Sequence, residues 1–220
     1  MIAVTTIAVP AVMAGLWMRG SVTTTQLAVI AAASVLVSIV WAATSVHELT
    51  ISRSKLLFES THEAITGLPN RRQFSKLLRA TLANGRGGAV IVIDLDGFRS
   101  VNEALGHRVG DDVLVEVSHI ICDTVRFTDS VSHLGSDEFA VMIDAEDETD
   151  VLMIAQRLVD SLRVNRYAGN ERIRVTASVG VVRWPRHTPS TKIDDLIQAT
   201  DAAIEDAKRH NGDQMVLASL

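Results

Sequence analysis

Between Ser130 and Ile143 two strand-like runs, Ser130-Val131-Ser132-His133-Leu134 and Phe139-Ala140-Val141-Met142-Ile143, are separated by Gly135-Ser136-Asp137-Glu138. The pattern predicts a β-hairpin with two carboxylates at its tip. Hairpin turns favour Gly, Asn and Asp because they need φ > 0 or a local side-chain hydrogen bond, and Gly135 and Asp137 answer that need by themselves. Glu138, next to Asp137 and ahead of an apolar strand, is not required by the turn. Adjacent acids repel one another unless a cation, or a cation carried by a ligand, compensates them. The hairpin tip therefore reads either as an ordinary solvated turn or as part of a metal site.

A second acidic strand end favours the metal. Ala89-Val90-Ile91-Val92-Ile93 is an unbroken run of the kind that forms a central strand buried on both faces. Asp94-Leu95-Asp96-Gly97-Phe98 follows where it ends, the place where functional groups of such sheets gather. Two acidic strand mouths supply the few hard oxygen ligands that a pair of Mg²⁺ ions shares with a triphosphate.

At these residues the chain resembles the GGDEF family of diguanylate cyclases, from about His62 to about Val216. The landmarks are Thr66-Gly67-Leu68-Pro69-Asn70-Arg71, Asp94 through Phe98, Asn102, Gly106-His107, Gly110-Asp111, Gly135-Ser136-Asp137-Glu138-Phe139, Ser178-Val179-Gly180 and Ala207-Lys208. Four positions depart from the family's pattern. Ser136 replaces the second signature glycine, Glu63 an Asp, His133 an Arg, and Gly212, between Asn211 and Asp213, a further Arg.

The resemblance implies a diguanylate cyclase that joins two GTP molecules into cyclic di-GMP and releases pyrophosphate, working as a homodimer. By similarity Asp94, the Leu95 carbonyl and Asp137 ligate Mg²⁺, with Mn²⁺ as an alternative. Asp137 also accepts a proton, and Glu138 serves the metal or orders the turn. Asp96 is expected to be set by the strand end rather than to share the metal. The backbone at Phe98 and Arg99 opens a helix whose N–H groups suit phosphate, Gly135 is a substrate-binding residue, and Ser136 stands where the family's second glycine lies against the nucleotide. Asn102 and Asp111 read guanine, whose N1–H and amine an Asp can accept. His107 is either a substrate-site residue or a structural hydrogen-bonder, and Lys208 reaches the phosphates. Arg126 and Asp129 match an Arg-x-x-Asp site at which family members bind their own product as an inhibitor. The alternative reading is a catalytically degenerate domain that binds GTP or cyclic di-GMP and regulates a partner.

A formal charge of −5 speaks against a nucleic-acid surface, and the single cysteine, Cys122, excludes an internal disulfide and is expected in the core as a small apolar residue. Met1 to Met18 has no charged side chain, and Leu27 to Ala43 is a second apolar run. Each is long enough to cross a bilayer. The other readings are a cleaved signal peptide for the first, which lacks a basic n-region, and a buried core helix for the second. Arg53, Lys55, Arg71 and Arg72 after the second run, against Arg19 alone in the loop, place the C-terminal side in the cytoplasm at the inner membrane. Expected domains are a two-helix anchor over 1–45, a helical linker over 46–64 and the cyclase domain over 65–220. The linker lacks Gly and Pro, and Leu49/Leu56 and Ile51/Phe58 lie a heptad apart, which suits either a coiled coil or a monomeric amphipathic helix. Beyond it come strand 89–94, helix 101–124, the hairpin, helix 148–164, strand 173–182 and helix 192–209. That order gives an α+β nucleotide-cyclase palm, a mostly antiparallel sheet flanked by helices and preceded by two transmembrane helices.

Overall fold

The structure is a computed structural model that describes residues 23–144, 147–168, 171–186 and 192–220. It divides into Met1–Leu57 and Phe58–Leu220. In the first unit the described element is most of helix α1 (Thr24–Thr61), whose segment Thr24–His47 has a mean hydropathy of 2.3 and buries none of its described side chains. Among the described residues this is the one helix long and apolar enough to cross a membrane. The expected span over Met1 to Met18 lies outside the described residues. Helix α1 runs unbroken through the Gly- and Pro-free stretch, while the side chains of Leu49, Ile51 and Leu56 are also outside what is described.

The second unit is built on β1 (Gly88–Asp96), whose Val- and Ile-rich run is buried on both faces as its composition predicts. Antiparallel neighbours flank it: β3 (Glu138–Ile143) on one side and β5 (Glu171–Trp184) on the other. Strand β2 (Ser130–Gly135) closes the hairpin with β3, giving the order β2-β3-β1-β5-β4 with β4 spanning Val164–Ala168. Strand β6 (Gln214–Ala218) pairs with β5 in parallel, the one parallel pair of strands among the described residues. The sheet is therefore antiparallel but for one strand.

Alternation along β1 feeds two cores. Ile91, Ile93 and Leu95 pack with Val113, Val117 and Ile121 of α4 (His107–Thr124) and Ile154 and Leu158 of α5 (Glu148–Ser161). Val90 and Val92 face Phe74 and Leu78 of α2 (Arg71–Ala83) and Leu196 and Ile204 of α6 (Ile193–Arg209). Asn70 caps α2, its side chain accepting from Gln73 N at 3.1 Å. Asp147 caps α5 above the first-turn acids Glu148 and Asp150, whose charges suit a helix start.

Four expectations need correction. The helix expected over 101–124 is two, α3 (Phe98–Leu105) and α4, broken where Gly106 has φ 84° and ψ 159°, a conformation open essentially to glycine. The helix expected to reach Val164 stops at Ser161, because that residue already belongs to β4. Strands β4 and β6 are additions. Cys122 is exposed on α4, not in the core; partial burial of the sulfur, with Asp123 beside it, pushes the thiol pKa up, so it carries no activated thiolate.

Candidate active site

Antiparallel register brings the two acidic strand ends together. Asp94 stands opposite Glu138 on β3 and Ser178 on β5, and the Leu95 N–H donates to the Asp137 carbonyl at 3.1 Å. Position parity puts Asp94 on the α6 side of the sheet, where Lys208 Nζ lies 2.7 Å from its Oδ1. That Oδ1 is buried and its contact with Lys208 is one of charge, without the angle of a good hydrogen bond. Burial pushes the Asp94 carboxyl up from its ordinary range, and Asp137 and Asp96 push the same way, against the opposing effect of Lys208. Burial alone would lower Lys208, but Asp94, Asp137 and Asp96 together outweigh it and hold the ammonium charged. The two directions agree on an excess of negative charge at this strand mouth.

Such an excess, with an under-coordinated buried carboxylate oxygen, fits a hard divalent cation. Among the described residues no three Asp, Glu, His or Cys side chains converge as a ligand set. Asp94, with Asp137 beside it, would supply part of a coordination shell, leaving room for backbone carbonyl and phosphate oxygens to complete it.

Asp96 has a different occupation. Its Oδ1 accepts from Ser178 Oγ at 2.7 Å, and its Oδ2 accepts from Thr176 Oγ1 and Asp213 N, both at 3.0 Å. Thus Asp96 ties β1 to β5 and to the turn before β6. In that turn Asn211, Gly212 and Asp213 all have positive φ, at 77°, 66° and 51°. A Cβ on Gly212 would come within 2.6 Å of Asp96 Oδ2. Arg163 and Arg174 hold the Asp213 carboxylate at 3.0 and 2.7 Å.

The signature turn is two residues long, Ser136 and Asp137, with an irregular register between His133 and Gly135. Gly135 has φ 126° and the exposed Ser136 has φ 54°, the left-handed region that L side chains seldom adopt. Arg71, at the start of α2, donates from Nε to the Leu134 carbonyl at 3.3 Å and pairs with Glu138 at 2.5 Å. Glu138 is thereby tied to α2 and lines a cleft between α2, α6 and the sheet face that carries Val90 and Val92. His133 is 1% exposed and stacks on Phe139, with ring centroids 4.4 Å apart. Its Nδ1 lies 3.1 Å from Glu63 Oε2, and its Nε2 donates to the Ser136 carbonyl at 3.3 Å. Sequence reasoning treated Glu63 and His133 as separate departures and gave Arg71 no role. Their complementary charges were the one available signal.

Helix α3 begins at Phe98 behind Gly97, whose φ of 78° turns the chain and whose lack of a side chain leaves the helix start without a side-chain cap. Phe98 is buried, whereas Arg99 is exposed and paired with Glu103 at 2.7 Å. Asn102 packs against the first turn of α4, so closely that a Cβ on Gly110 would fall 2.0 Å from Asn102 Oδ1. Glycine at 110 is what allows Asn102 to approach the residue before Asp111. His107 and Asp111 are exposed on that same turn of α4. Arg126 and Asp129 form a separate tight turn between α4 and β2: Arg126 N donates to Asp129 Oδ2 at 2.8 Å, and the Arg126 guanidinium lies 3.4 Å from Asp150.

Comparison with known proteins agrees with this architecture. The family model described as "Diguanylate cyclase, GGDEF domain" matches residues 60–214. The bifunctional diguanylate cyclase/cyclic di-GMP phosphodiesterase MucR of Pseudomonas aeruginosa is 35% identical over 87% of this chain and 29% of its own length. Diguanylate cyclase TpbB of the same species is 33% identical over 76% of this chain and 39% of its own length. The chain thus spans less than half of either relative. The solved GGDEF domain of TpbB superposes with a TM-score of 0.64 at 32% identity, covering 72% of this chain and 95% of that one. The coiled coil and GGDEF domain of DgcB from Caulobacter crescentus, in complex with c-di-GMP, shares the fold at a TM-score of 0.72 and 22% identity, over 84% and 100% of the two chains. With Asp94, the signature turn and Lys208 gathered at one strand mouth, the chain belongs to the GGDEF-domain family of diguanylate cyclases.

Proposed function

We propose that this chain is a diguanylate cyclase that condenses two GTP into cyclic di-GMP as a membrane-anchored homodimer. The observation that carries the reading is the buried, under-coordinated Asp94 Oδ1 facing Lys208 at the strand end where Asp137 and Glu138 turn. In each half-reaction a ribose 3′-oxygen bonds to the α-phosphorus of the other GTP, the bond to pyrophosphate breaks, and the hydroxyl proton is released. Asp137 accepts that proton, and Glu138, fixed by Arg71, orders the turn. Asp94, the Leu95 carbonyl and Asp137 would hold Mg²⁺, or Mn²⁺ in its place. Bound there, the ion would acidify the attacking hydroxyl and neutralise phosphate charge.

Lys208 meets the phosphates as a mobile point charge, joined by the N–H groups of Phe98 and Arg99 at the uncapped start of α3. Gly135 lets the nucleotide lie close. Asn102 and Asp111, brought together across Gly110, read the guanine edge, and His107 borders them. One site holds one GTP, so two copies must face each other for the bond to form. The apolar segment of α1 supports an anchor, with Met1 to Met18 as a second span and the cyclase domain in the cytoplasm at the inner membrane. Domains over 1–45, 46–64 and 65–220 follow from that reading. Arg126 and Asp129 form a site for cyclic di-GMP as inhibitor.

The strained Ser136 and the absent Arg at 212 favour a second reading, a domain that binds nucleotide without turning it over. Full-length chain in detergent with GTP and Mg²⁺ decides between them. Pyrophosphate and cyclic di-GMP in a 2:1 ratio, abolished by Asp137→Ala, support the cyclase. Binding of GTP without either product supports the regulatory module.

A further inference from the structure

The departures at 63 and 133 meet in space, and the hydrogen-bond inventory of the ring constrains its charge. His133 Nδ1 faces the Glu63 carboxylate at 3.1 Å and Nε2 faces the Ser136 carbonyl at 3.3 Å. A carboxylate and a carbonyl only accept, so both contacts form together only when both ring nitrogens carry hydrogen. A neutral ring protonated at Nε2 would turn a lone pair toward Glu63, keeping only the bond that Thr66 Oγ1, 3.1 Å away, can donate to Nδ1. A neutral ring protonated at Nδ1 would turn a lone pair toward the Ser136 carbonyl. Glu63 stays ionised: burial works against its charge, but the N–H groups of Thr66 and Ile65, with His133, outweigh burial and hold its pKa down.

Pro69 accepts from the His133 N–H at 2.9 Å, and Phe139 stacks on the ring. Of the nearby charged groups, Arg71 on α2 is turned to Leu134 and Glu138 instead. Ser136, which the ring holds through its carbonyl, is the residue with φ 54°, and Asp137 follows it directly. The hydrogen bond from His133 is thus the side-chain contact that fixes the strained peptide carrying the proton acceptor.

We propose that Glu63 and His133 form a positioning couple for the signature turn that works with the ring as an imidazolium, so that turn geometry and turnover both weaken as pH rises. The effect on turnover rests on the cyclase reading, whereas the effect on the fold does not. An arginine, as the family carries at this position, holds its charge at every accessible pH. A histidine ring carries its charge only while both of its nitrogens hold hydrogen.

The experiment measures kcat, KM and thermal unfolding of the full-length chain in detergent between about pH 5.5 and 8.5. The variants are His133→Gln and the double variant Glu63→Asp/His133→Arg. In the wild type, kcat is expected to fall about tenfold on the alkaline side, with KM for GTP little changed, and Tm to fall in the same range. The double variant should lose both alkaline limbs. His133→Gln, which can donate only one of the two bonds, should be slow at every pH. A wild-type alkaline limb that persists in the double variant overturns the couple, as does a wild-type Tm flat across the range. A Tm limb that the double variant removes, in a chain that makes no cyclic di-GMP, supports the couple and refutes the cyclase reading instead.

Discussion

Ser136→Gly isolates the conformational cost of the departure within the signature. Its φ of 54° lies in the left-handed region, where an L side chain costs about 1 to 2 kcal/mol. Glycine removes that cost but returns about 0.5 to 1 kcal/mol through the greater freedom of the unfolded chain. Ser136 is exposed and uses its carbonyl, not its side chain, to meet His133, so the substitution deletes no packing and keeps the hydrogen bond. At mid-range the net gain is about 0.75 kcal/mol, which in a domain of this size raises Tm by about 1.5 to 3 °C. If the strained turn also resists nucleotide, relief of about 1 kcal/mol raises turnover up to about fivefold. Differential scanning fluorimetry gives the first value and pyrophosphate release the second. Gly135→Ala is the control, because its φ is 126° and an added Cβ meets nothing within 4 Å; a loss of stability there is conformational, not steric. A lower or unchanged Tm for Ser136→Gly, beside a destabilised Gly135→Ala, would refute the strain argument.

Asp94→Asn should stabilise the metal-free domain at neutral pH while abolishing turnover. The folded pKa of Asp94 is raised, so its favourable contribution is present below the unfolded value and is lost as pH rises through the folded one. The variant lacks that loss, and Tm followed from acidic to neutral pH, with and without Mg²⁺, checks it; a wild type that gains stability with pH relative to the variant contradicts the sign. Arg126→Ala removes only an exposed contact to Asp150, worth at most about 1 kcal/mol, so it should fold normally. Noncompetitive inhibition by cyclic di-GMP should weaken at least about tenfold, and inhibition relieved by raising GTP in the wild type would return Arg126 to a surface role.

Legibility in the sequence followed the range of the interactions involved. The buried strand β1, the hairpin and α6 announce themselves through local periodicity and turn chemistry, and the structure places them close to where the sequence puts them. The break at Gly106 was signalled by a glycine but masked by helical residues on both sides. Strand β6 is short and follows a turn made by Asn211 and Asp213, residues that tolerate positive φ without advertising a strand beyond. Cys122 was misplaced because a single residue type cannot report which face of α4 it occupies. At the site, Asp94 and Asp137 were legible as types, and the structural tie of Asp96 follows from its position at the strand end. Arg71 with Glu138 and Glu63 with His133 join residues far apart in the chain, and no local pattern encodes such pairs.

The packing of Gly212 on Asp96 also makes one departure from the family a one-way step. Asp96 now accepts from the backbone of Asp213, and a Cβ at 212 would drive into its carboxylate at 2.6 Å on a backbone with φ 66°. Restoring an arginine there by a single substitution would cost the tie between β1, β5 and β6 before its guanidinium could reach a phosphate. On the cyclase reading, an arginine at 212 would require the turn at 211–213 to be rebuilt first, and Lys208 would then carry a larger share of phosphate binding than in a chain with both cations.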